Sequence, residues 1–202
     1  GCVWQTTMDG ITGTVVGHPL ADWDNFGDYH APDPETCMGI GPIDWEAEAR
    51  RIQYEKEHLG FAQASLRHGH TFLQLCDIRG YENLLFDMAD EEARLWELID
   101  LVEQFNLAIV RHYIRLGVDL MAYPEDLGCQ TGPMISPALF RQYIQPSYKR
   151  LMQPALEAGI GIHMHSDGDI RLLCDDLIGS GVQVLNLQDL VNGVDWIAER
   201  FK

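Results

Sequence analysis

The chain has 202 residues, of which 46% are apolar, enough for one sizeable hydrophobic core. Acidic residues number 31 against 14 basic ones, for a formal net charge of −17. Such a surface repels nucleic acid and anionic membranes, and no run of apolar residues reaches spanning length, so neither is expected as a partner. The five cysteines are scattered, odd in number and form no C-x-x-C pair, which fits a reduced, cytoplasmic setting better than a disulfide framework.

Residues 1–44 are rich in Gly, Pro, Asp and Trp and are expected to form an irregular segment that begins with a hairpin. Runs at 2–7 and 12–16 flank Met8-Asp9-Gly10, where Asp-Gly suits a tight turn. The stretch from His18 to Pro34 reads as surface loop, since Pro32 and Pro34 forbid a regular helix. Residues 45–202 are expected to form the single main domain.

From Asp44 the pattern is helical. Asp44 is a good N-cap, and Gly60 is a good stop after Leu59. Residues 61–66 read as a strand, and 70–89 as helix with a break near Arg79-Gly80. Asp90 is expected to cap a long helix whose apolar stripe is Leu95, Ile99, Val102, Phe105, Ile109, Tyr113 and Leu116, closed by Gly117. Residues 118–123 form the next strand. Ser136-Pro137 starts a helix that Pro146 and Pro154 should kink and Gly159 should end. A strand at 160–165, a helix at 170–179, a strand at 182–187 and a helix at 194–201 follow. Alternating strands and helices with short connections predict a parallel α/β layer. The chain starts without methionine and stops soon after a short amphipathic stretch, which reads as a segment of a longer protein.

Three of these strands run into polar, chemically capable clusters. Parallel layers carry their sites at the C-terminal strand ends. In the run from 160 to 167, alternation puts Ile160, Ile162 and Met164 on one face and His163, His165 and Asp167 on the other, about 6–7 Å apart. His and Asp suit zinc or another divalent metal, and equally suit acid–base work. Hydrogen-bonded histidines filling a polar lumen are the plainer alternative. Asp119, Met121, Tyr123 and Glu125 share a face of the preceding strand. Tyr123, Glu125 and Asp126 stand at its exit, where carboxylates could hold a proton or orient a histidine. Gln130 lies in a glycine-flanked loop open to substrate. Asn186 and Gln188 end the last strand as positioning groups. His68 and His70, at i and i+2 on a loop, are a weak metal signal and read better as exposed loop histidines. Cys129 has no local histidine to activate it as a nucleophile.

EDLGCQTGPMISPALFRQYIQPSYKRL (125–151) followed by GIHMHSDGDIRLLCDDLIGSGVQVLNLQ (161–188) resembles the uroporphyrinogen decarboxylase family, which includes the methylcobalamin:coenzyme M methyltransferases. The resemblance implies a (β/α)₈ TIM-barrel-type fold, of which four strands would be an incomplete part with an N-terminal hairpin and loop insertion. It implies an enzyme, in the first place a carboxy-lyase acting on a tetrapyrrole or related small molecule without a cofactor. The second implied activity is a corrinoid-dependent, zinc-assisted methyl transfer to a thiol acceptor, with a corrinoid protein as partner. A non-catalytic barrel module is the third reading. The resemblance makes His165 and Asp167 candidate catalytic residues, and the strand-end reading adds Asp126. Tyr123, Glu125, Gln130, His163 and Gln188 are candidate substrate contacts, and His165 with Asp167 is a candidate metal pair. The methyltransferase branch carries His-x-Cys where this chain has His165-Ser166-Asp167, so an oxygen donor replaces a thiolate. The decarboxylase branch needs a basic pocket for a polycarboxylate, which so acidic a chain is poorly placed to supply.

Overall fold

The computed structural model describes residues 1–8 and 13–202. Strands β1 (Val3–Gln5) and β2 (Thr14–Gly17) pair antiparallel, as expected for the hairpin. The Asp9-Gly10 turn lies outside the described residues. A 3₁₀ turn over Trp23–Asp28 precedes α1 (Trp45–Leu59), β3 (Gln63–Ser65), α2 (Phe72–Arg79), α3 (Tyr81–Ala89) and α4 (Ala93–Leu116). Then come β4 (Leu120–Ala122), the two-residue strands β5 (Glu125–Asp126), β6 (Gly128–Cys129) and β7 (Gly132–Pro133), and α5 (Pro137–Leu139). A π-helical turn over Phe140–Ile144 leads into α6 (Gln145–Glu157), which is followed by β8 (Gly161–Asp167), α7 (Cys174–Ile178), β9 (Val184–Leu187), α8 (Asp189–Asn192) and α9 (Val194–Arg200). Among the described residues no helix is long and apolar enough to cross a membrane, and all five cysteines are free.

The helix boundaries follow from local chemistry. The Asp44 carboxylate accepts from the Glu46 and Ala47 amides at 3.0 Å each, satisfying two of the orphan donors of α1, and Gly60 closes the helix at φ 72°. Asp90 does not cap α4 but ends α3. The N-cap is Glu92, whose side chain accepts from the Arg94 amide. The expected stripe of α4 is buried from Leu95 to Tyr113. Pro146 stands in the first turn of α6, where its missing N–H costs nothing, and a π turn precedes it, whereas Pro154 lies inside α6, which continues to Glu157.

The main sheet is parallel throughout, with β3 beside β4, β4 beside β8 and β8 beside β9. β5 extends the line of β4 and pairs with the last residues of β8. Chain order therefore equals spatial order, the arrangement of consecutive βα units in a TIM-type barrel. The described strands form an open sector and do not close. Ala64, Met121, Ile162 and Met164 are buried beneath the helices, α6 packing on β8 and α4 on α6. The opposite face carries Gln63, Ser65, Leu120, Ala122, Gly161, His163 and His165 and is open.

The segment from His18 to Tyr29 is not simply surface loop. Leu20 and Trp23 are buried, and the Leu20 amide bonds to the Ile78 carbonyl at 3.0 Å. Arg79 organises this docking. Its guanidinium donates to Asp87 at 2.6 and 3.2 Å and to the Leu20 and Ala21 carbonyls at 2.8 and 2.6 Å. It also lies 4.7 Å from the Trp23 ring centroid, and the Trp23 indole N–H donates to Asp87. Sequence periodicity cannot reveal this, because the partners are about 60 residues apart.

Two stability measurements check this account. Arg79→Ala leaves Asp87 buried without its cation and should cost about 3–5 kcal/mol in urea unfolding. Asp44→Ala removes only an exposed cap and should cost about 1 kcal/mol. An Arg79→Ala loss no larger than the cap loss would mean that the N-terminal segment is held by something else.

Candidate functional site

The C-terminal ends of β3, β5 and β8 meet on the open face. In a parallel pair, registered residues point the same way, and Asp126 is registered with Asp167. Asp126 therefore joins His165 and Asp167 on the open side. His68, just past the end of β3, reaches in from the neighbouring strand. One ligand atom from each of His68, Asp126 and His165 lies within 4.8 Å of the other two. His68 Nε2 is 3.2 Å from Asp126 Oδ1. His68, which the sequence offers only as a weak metal signal and more readily as an exposed loop histidine, is exposed and also joins the site. The signal available for it was its place directly after a strand, at the same end of the layer as the other two.

Hydrogen bonds around the cluster set its chemistry. His165 Nδ1 is 2.9 Å from Asn186 Oδ1 and 3.2 Å from the Asn186 carbonyl, both acceptors, so Nδ1 carries the proton. That tautomer leaves the Nε2 lone pair free for a metal or an acid. Asn186 does the positioning work, from β9. Asp126 Oδ1 also accepts from the Asp167 amide at 3.1 Å, which ties β5 to the tip of β8. The Asp167 carboxylate lies 3.4 Å from His165 Nε2 and faces solvent, outside the three-residue cluster. His163 lies one step down the same face. Burial, then the neighbouring His165, lower its pKa, which keeps it neutral.

Two imidazoles and one carboxylate fit a divalent ion of the zinc type, and three protein ligands leave a position open for substrate. The expected pair of His165 with Asp167 is present at 3.4 Å, and beside it stands a three-residue set in which Asp126 is the carboxylate.

Tyr123 and Glu125 are not on this face. Both are fully buried on the helix side, because Met121, registered with Ile162, fixes the odd-numbered residues of this strand toward the core. The expectation that they contact substrate is corrected accordingly. Tyr123 Oη donates to the Leu151 carbonyl. Glu125 accepts from the Thr71 and Leu73 amides. Burial pushes the Glu125 carboxyl up to about 7, against the pull of those amides. His70 is buried too, not exposed, and burial drives it down to about 3, so its ring is neutral. Gln188 is half-buried and spends its side-chain oxygen on the Gly168 amide at 3.0 Å. Gln130 is exposed at the tip of the β6–β7 hairpin, beside Cys129. Gly168 itself is required: at φ 78° a Cβ would meet the Gly128 carbonyl at 2.1 Å, so the chain leaving β8 can cross β6 only without a side chain.

Most of the chain is similar to known proteins in sequence and in fold. The family model of uroporphyrinogen decarboxylase (URO-D) matches residues 7–201. No curated protein matches the chain. Among solved structures, a methyltransferase from Methanosarcina mazei shares the fold with a TM-score of 0.63 at 15% identity, over 92% of this chain and 52% of that one. The chain thus spans about half the length of that methyltransferase. With a parallel βα sector, a polar cluster at the strand ends and a family match across nearly every residue, the chain belongs to the uroporphyrinogen decarboxylase family.

Proposed function

We propose that this chain carries the metal-binding half of a methyltransferase-type site, with a thiol or similar soft nucleophile as acceptor. The observation that carries this reading is the convergence of His68, Asp126 and His165 at the strand ends. The fold shared with a methyltransferase supports it. The donor implied by the family resemblance is a corrinoid protein. Tetrapyrrole decarboxylation fits the site less well. The carboxylates Asp126 and Asp167 stand at the mouth, while the nearby Arg67 and Arg171 are already paired with Asp77 and Asp169. A polycarboxylate would meet repulsion where it needs cations.

A divalent ion held here would favour the deprotonated form of a bound thiol. The protein's own groups divide the remaining work. Asn186 fixes the His165 tautomer and ring. Asp126, shared between the Asp167 amide and His68, aligns two strands around one point. Asp167, on the open side of His165, is placed to accept the proton that the acceptor gives up. His163 provides a neutral floor that adds no competing charge.

Zinc analysis of purified protein tests this. Wild type loaded with Zn²⁺ and desalted should retain about one equivalent, and His165→Ala and His68→Ala should each weaken binding by at least about tenfold. Equal, near-zero zinc in wild type and His165→Ala would overturn the metal reading. Asp167→Asn should keep the wild-type stoichiometry; losing the metal there would move Asp167 into the coordination sphere in place of Asp126.

A further inference from the structure

We infer that Glu125 is the positioning residue of this site, holding the loop that carries His68 in place from beneath the sheet. The inference rests on the metal reading above for its function, but its geometry stands apart from it. Glu125 and Asp126 are consecutive residues of β5, so their side chains point to opposite faces. Asp126 meets His68 above the sheet. Glu125, fully buried below it, accepts from the Thr71 amide at 2.5 Å and the Leu73 amide at 3.4 Å. One dipeptide thus grips the 68–73 segment from both sides, through the His68 ring and through the backbone just beyond it.

The rest of the loop's anchorage converges on the same point. The Gly69 amide donates to the Pro124 carbonyl at 2.9 Å, one residue before Glu125. Asn106, buried on α4, donates to the His70 carbonyl. The His70 ring is wedged between Tyr123 and Tyr148, with centroids at 5.6 and 5.4 Å. The Tyr148 hydroxyl faces the Glu125 carboxyl without closing a well-aligned hydrogen bond. Taking a carboxyl out of water is costly, and a buried hydrophobic residue would fill the same space more cheaply. What a carboxyl adds is two acceptor oxygens for two amides that helix α2 cannot satisfy itself. Those amides start α2, and His68 stands three residues before the Thr71 amide. Without the carboxyl, the turn can shift and His68 loses its fixed distance to Asp126.

The test uses Co²⁺ as the probe ion, together with amide hydrogen exchange, on the full chain. Glu125→Ala should weaken Co²⁺ binding by about 10–100-fold and alter the cobalt visible spectrum. Glu125→Gln, which keeps one acceptor oxygen but turns an N–H group toward the other amide, should weaken binding by a smaller but still measurable factor. In a His68→Ala background, Glu125→Gln should have no further effect on affinity, because the residue it positions is gone. Exchange at Thr71 and Leu73 should quicken in Glu125→Gln while the amides of β8 keep their protection. If Glu125→Ala fails to fold, the Gln variant and the double variant carry the test. Wild-type Co²⁺ affinity and spectrum in Glu125→Gln, with unchanged exchange at Thr71 and Leu73, would overturn the proposal. If wild type itself binds no Co²⁺, the metal reading fails. The clamp is then judged by exchange alone: quickening confined to the 69–73 loop sustains it, and unchanged exchange refutes it.

Discussion

Everything in this structure turns on the register of β8. Like β4, which lies between β3 and β8, it is paired along both edges, and it joins the most partners, with β4 and β5 on one side and β9 on the other. Because side chains alternate with a period of two, fixing Ile162 and Met164 into the core fixes His163, His165 and Asp167 on the open face. The same register passes sideways: Met121 is set inward by Ile162, and Asp126 outward by Asp167. A slip of one residue would bury both histidines and expose the methionine, so hydrophobic burial defends the geometry of the site.

A second consequence of this alternation is the division of labour inside β5. Two adjacent carboxylates look alike in the sequence, yet one faces solvent and imidazoles while the other is sealed among tyrosines. Burial moves Glu125 toward neutral pH and leaves it with backbone amides as partners. Chemistry and support of the chemistry therefore sit on opposite sides of one short strand. Outside the sheet, Arg79 has a comparable integrating role, joining α2, α3 and the N-terminal segment through one guanidinium.

Much of this was legible beforehand. The caps at Asp44, Gly60, Ser136 and Gly117 are local chemistry, and each stands where side-chain type predicts. The stripe of α4 and the faces of β8 are periodic patterns that survive folding unchanged. The face of β4 was misread, because polar Glu125 and Tyr123 at the strand exit looked like mouth residues while apolar Leu120 and Ala122 did not. Leu120 and Ala122 line the open sector, while Met121, Tyr123 and Glu125 lie under the helices, a choice set by register against β8 and not by side-chain polarity. Asp90 lost the cap of α4 to Glu92 because α3 runs on through Ala89, which leaves Asp90 as its end.

By itself, the sequence determined the order and type of the main helices and of the four longer strands of the parallel layer, and the candidacy of His165, because these show as patterns among neighbours along the chain. Only the tertiary structure decided that Asp126 and His68 gather beside His165, and that Glu125 lies underneath, facing the amides of the loop after β3. Those residues are drawn from three separate strand ends, and what brings them within 4.8 Å is sheet register, which no local pattern encodes.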